Sequence, residues 1–106
     1  MKNAIKNGVS IGLMMTTALV LQPVKADEAL AQKSGCTACH TVDKQLVGPA
    51  FKDVAAKYKD NQAALDMLVA KVKNGGSGVW GQVPMPPNAA VSDEDIKTLV
   101  QWILSM

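Results

Sequence analysis

Both cysteines and the only histidine of the chain stand in one five-residue unit, Cys36-Thr37-Ala38-Cys39-His40. No other feature restricts the fold as strongly. Residues three and four apart share one face of a helical turn, so these side chains are presented together. A Cys36–Cys39 disulfide would be a poor staple, because its entropic gain grows with the length of the loop it closes. Structural zinc takes about four ligands, and the chain offers two thiols and one imidazole. A thioredoxin-like dithiol sits between a strand and a helix, and no strand pattern precedes Cys36. What remains is C-x-x-C-H, the attachment signature of c-type haem. Cys36 and Cys39 reach two neighbouring edges of one macrocycle, and His40 turns its ring under the iron, which neutral imidazole binds well. The expected cofactor is one haem c per chain, covalently bound through Cys36 and Cys39.

The first 26 residues read as a segment apart. Lys2 and Lys6 give a positive start, Val9 to Leu21 carries no charge, and Val24-Lys25-Ala26 ends on a small residue. That is the three-part pattern of a secretory signal peptide. The apolar stretch falls short of the ~20 residues that span a bilayer, which argues against an uncleaved anchor. Cleavage after Ala26 would leave Asp27 to Met106 as one exported domain. Lys2, Lys6 and Lys25 leave with the leader while all 9 acids stay, so the formal charge passes from +2 to −1. No basic patch argues for nucleic acid. A domain this small normally needs a staple or cofactor to complete its core.

Along the mature chain the expected elements are helical. Asp27 to Ser34 has acids at its start and Gly35 beyond its end. Phe51, Val54, Ala55 and Tyr58 recur at helical spacing, as do Leu65, Leu68, Val69 and Val72, with Asn74-Gly75-Gly76 as the stop. Ser92 is the expected N-cap of a last helix, whose apolar face is Ile96, Leu99, Val100 and Ile103. Phe51 and Trp102 are expected in the core, and Met67 packs there too. No stretch alternates at period two. Between the last two helices lies Gly75 to Val91, with four glycines, three prolines and no charge. A long loop of this kind in a small domain is usually functional. Pro84, Pro86 and Pro87 fix the backbone around Met85. Of the mature methionines Met67, Met85 and Met106, Met85 is therefore the expected sixth ligand of iron. His/Met ligation fills both axial sites and favours the ferrous state.

The order of these features resembles the short bacterial class I cytochromes c of the cytochrome c-551 (cytochrome c8) type. The resemblance rests on CTACH, on "VGPAFKDVAAKY" (Val47 to Tyr58), on "KNGGSGVWGQVPMPPN" (Lys73 to Asn88) and on the terminal "LVQWILSM". It implies an all-α fold, the small cytochrome c fold: about four short helices around one covalently attached haem, with a long Gly/Pro-rich Met loop. It implies His40 and Met85 as axial ligands. It also implies that the Pro49 carbonyl accepts from the other His40 nitrogen, that the Asn88 amide approaches the Met85 sulfur, and that the Trp80 indole donates to a haem propionate. Lys71 matches a position often held by an arginine near the propionates; lysine keeps the charge without the planar fork.

The function so implied is a periplasmic one-electron carrier, a monomer rather than an enzyme. Its partners would be a redox protein donor and an acceptor such as nitrite reductase or cytochrome oxidase, met without nucleic acid and without stable membrane insertion after cleavage. Docking would use the haem edge beside Val47, Val83, Pro84 and Pro87, with Lys33, Lys44 and Lys73 steering encounters. The alternative is a haem c enzyme or gas sensor with labile Met ligation. Such chemistry wants a polar distal group. The chain has no second histidine, no arginine, and no acid in the loop from Gly75 to Val91.

Overall fold

The computed structural model describes residues 8, 10–17 and 24–106. Most of the expected leader lies outside these residues, including the latter part of its apolar stretch. Four helices follow in order: α1, Val24–Lys33; α2, Phe51–Tyr58; α3, Ala64–Asn74; and α4, Asp93–Leu104. A single 3₁₀ turn, Cys36–Ala38, stands between α1 and α2. The expected helices all form. α1 begins at Val24 rather than Asp27, so the expected cleavage site falls in its first turn.

α4 is the hub, packing against α1, α2 and α3. Its start is fixed as the sequence implies: the Ser92 hydroxyl accepts from the Asp95 amide at 3.1 Å, satisfying one of the orphan donors of a helix N-terminus. Ile96, Leu99, Val100 and Trp102 are buried. The Phe51 ring, at the head of α2, meets Trp102 edge to face, with centroids 5.5 Å apart, a preferred aromatic geometry. Ala31 of α1 and Leu99 complete this cluster.

Met67 departs from expectation. It lies on α3 but is 41% exposed, because α3 turns the side centred on Leu65, Leu68 and Val72 inward and leaves Met67 with Asp66 and Ala70 on the outer side. No strand occurs among the described residues, and one isolated antiparallel bridge joins Gly76 to Met85. No described helix is long and apolar enough to cross a membrane.

Candidate haem site

The attachment motif is held by its own backbone. Gly35 takes φ +79°, left-handed space that favours glycine, and turns the chain out of α1. The Cys39 and His40 amides then both donate to the Cys36 carbonyl, at 3.2 and 3.0 Å. The two sulfurs and the imidazole are thereby gathered on one tight turn. Burial pushes the Cys36 thiol above its usual range, against the opposing pull of a backbone hydrogen bond.

His40 is oriented from several sides. Its Nδ1 lies 2.7 Å from the Pro49 carbonyl oxygen, and since a carbonyl can only accept, Nδ1 carries the proton and donates. That leaves Nε2 with its lone pair, the usual arrangement for a metal-binding histidine. The imidazole stacks on Phe51, with centroids 5.3 Å apart and planes inclined by 21°. Gly48 comes so close that a Cβ there would fall 2.5 Å from Cε1 and 2.9 Å from Nδ1. The Gly48 amide also donates to the Cys39 carbonyl at 2.8 Å, so the segment carrying Pro49 is tied back to the motif it supports.

Met85 is held differently. Its amide donates to the Gly76 carbonyl at 2.8 Å, and the Gly76 amide returns a bond to the Met85 carbonyl at 3.0 Å. The prolines thus stiffen a segment that the bridge anchors. Asn88 secures the far end: its amide nitrogen donates to the Ser34 carbonyl at 3.0 Å, and its backbone N–H donates to the Val72 carbonyl at 3.0 Å. The hydrogen bond observed for the Asn88 side chain therefore joins the loop to the end of α1, and no bond from it to the Met85 sulfur is seen.

Cys36, Cys39, His40 and Met85 line one cavity of about 310 Å³. Its walls are mainly apolar, among them Val54, Leu68, Val72, Leu99 and Ile103, with Trp80 and Lys71 also at the lining. Pro49 lines it too, whereas Asn88 stands outside it and acts on the loop. The donor set and the apolar walls fit a haem. Two thiols serve for thioethers, one imidazole and one thioether for iron, and apolar side chains for the macrocycle.

Spacing did not reveal three glycines. Gly48 clears room for the imidazole, and a glycine preceding Pro49 was its sole trace. Gly75 and Gly76 read only as a helix stop, but Gly75 adopts φ 72°, ψ −170°, a region essentially reserved for glycine. A Cβ on Gly75 would fall 2.5 Å from the Met85 carbonyl oxygen.

A covalent-haem motif on a 3₁₀ turn, four helices and a methionine loop over a common cavity define a class I c-type cytochrome. The cytochrome c family model matches residues 25–106. The chain is 62% identical over 94 residues to cytochrome c-551 of Allochromatium vinosum, covering 88% of this chain and 100% of that one. It is 50% identical over 97 residues to cytochrome c-552 of Nitrosomonas europaea, covering 91% and 94%. The crystal structure of wild-type Nitrosomonas europaea cytochrome c552 superposes with a TM-score of 0.72 at 56% identity, covering 74% of this chain and 96% of that one. The chain belongs to the cytochrome c family, as a class I member of the c-551 type. It is a monohaem electron carrier rather than an enzyme, and its cofactor is haem c attached through Cys36 and Cys39.

Proposed function

We propose that the chain, after cleavage behind Ala26, works as a monomer in the periplasm. It would carry one electron at a time from a respiratory donor to a terminal reductase or oxidase, such as nitrite reductase or cytochrome oxidase. His40 and Met85 would be the side chains that hold its iron. When bound, haem c supplies a one-electron ferric/ferrous couple. The protein's part is to fix both axial groups and exclude other ligands, so that little moves when the charge changes.

The observation that carries this reading is the shared cavity of His40 and Met85. Each is committed by backbone contacts that leave its iron-binding atom free. Nδ1 of His40 is spent on Pro49, and Met85 is held through its amide and carbonyl rather than its sulfur. Lys71 lines the cavity and supplies positive charge for the propionates. Trp80, also at the lining, supplies an indole N–H. Val47 and Val83 are exposed on the same rim, which suits brief apolar docking. Of the lysines considered for steering, Lys73 is paired with Asp93 at 2.8 Å, leaving Lys33 and Lys44 for that role.

The test is fractionation and turnover in a host able to attach haem c. The periplasmic fraction should contain a protein beginning at Asp27 with the mass of one haem added. Once reduced, it should be oxidised rapidly by purified nitrite reductase or cytochrome oxidase. A retained leader, or oxidation no faster than in air alone with both acceptors, would contradict the assignment.

A further inference from the structure

Trp80 sits at one of the two central positions of a tight turn. The Gly78 amide donates to the Gly81 carbonyl at 2.7 Å, and both glycines have positive φ, +107° and +117°. This turn belongs to a charge-free loop. Yet one charge from elsewhere reaches it. The Lys57 ammonium, from the last turn of α2, lies 5.5 Å from the centroid of the Trp80 ring. That is within the range where a cation is attracted to an aromatic face, and tryptophan gives the strongest such attraction. Trp80 lines the haem cavity and Lys57 does not.

We propose that Lys57 is a positioning residue for Trp80: its ammonium, seated on the indole, holds the ring at the cavity wall and couples the Met85 loop to α2. The sequence carries no local sign of this pairing, since the two residues are far apart along the chain. The loop's own hydrogen bonds hold its backbone at Gly76, Gly78 and Asn88, and none of them fixes the angle of the Trp80 ring. A ring free to swing would alter how the cavity wall meets the cofactor and how the indole N–H is aimed. The inference rests on the haem reading for its consequence, but the pairing itself stands on the geometry of Lys57 and Trp80.

The test is a double-mutant cycle on the haem-loaded protein: Lys57→Gln, Trp80→Leu and both together, with Lys57→Arg as the conservative variant. Denaturant unfolding should show Lys57→Gln lowering the folding equilibrium constant roughly two- to fivefold in the native background. It should have little effect once Trp80 is leucine. The reduction potential should fall in Lys57→Gln, shift much less when Trp80 is already absent, and return with arginine. A charge acting directly through space would shift the potential equally in both backgrounds and show no coupling in stability. That result would overturn the proposal. Failure of the haem-ligation reading would show separately, in the optical spectrum of the unmutated protein, while the stability coupling persisted.

Discussion

Gly76 and Met85 exchange both of their backbone hydrogen bonds, at 3.0 and 2.8 Å. This bridge closes the methionine loop on the end of α3 and sets the register in which Met85 is offered to the cavity. It depends on the turn at Gly75, whose φ and ψ lie where only glycine is at ease.

Gly75→Ala should therefore act at a distance on Met85. The backbone conformation alone costs ~1–3 kcal/mol for a residue with a Cβ, and the new methyl would press on the Met85 carbonyl. Urea unfolding should show a loss of at least that size. The near-red absorption band of ferric Met–iron ligation should weaken in the folded protein. An unchanged midpoint and band would mean that the loop has slack to absorb the methyl.

Gly48→Ala should disturb the His40 ring. Its Cβ would fall 2.5 Å from His40 Cε1, and the ring cannot retreat freely because Phe51 stacks on it and Pro49 holds Nδ1. Overpacking of this kind costs about 1–3 kcal/mol. We expect a loss of stability in that range together with a shifted reduction potential, measured by chemical unfolding and voltammetry. Lys44→Ala, at an exposed position of the same loop and outside the cavity lining, should change stability little and serves as the control.

Asn88→Ala removes the bond to the Ser34 carbonyl in a part-buried setting. Deleting a hydrogen bond of this kind costs about 1 kcal/mol. Asn88→Asp should not restore it, because an ionised carboxylate accepts and cannot donate to a carbonyl. The readout is the denaturation midpoint of the three proteins side by side. Equal midpoints would show that α1 and the loop are held together by other contacts.

Cys36→Ala and Cys39→Ala should each leave haem held by fewer thioethers than the native pair. Mass spectrometry under denaturing conditions should find attached haem sharply reduced in each variant and absent when both are changed. Full covalent haem in both single variants would contradict attachment through this pair.

The helices were legible because their determinants are local. Ser92 before Asp95, and Phe51, Val54, Ala55 and Tyr58 at helical spacing, each act within a few turns of chain, and the structure uses them as expected. The attachment motif was legible for the same reason, its chemistry lying in five consecutive residues. The supports around it were not. Gly48 matters through the volume of the His40 ring eight residues before it, and spacing does not encode volume. The Gly76–Met85 bridge depends on how the loop folds back on itself, and the Asn88–Ser34 bond joins distant segments whose proximity is a product of the fold. Met67 shows the converse failure. Its neighbours fit an apolar stripe, but one position's rotation on the helix decides exposure, and Met67 lies on the outer side.

The most direct test of the central claim is the optical spectrum of the mature, haem-loaded protein, recorded ferric and ferrous and then with carbon monoxide, beside Met85→Ala. The ferric native protein should show the weak near-red band of Met–iron ligation, its ferrous form should bind carbon monoxide slowly or not at all, and Met85→Ala should lose the band and bind rapidly. A native protein that lacks the band and binds carbon monoxide as fast as the variant would mean an open iron, and the His40/Met85 carrier would be contradicted.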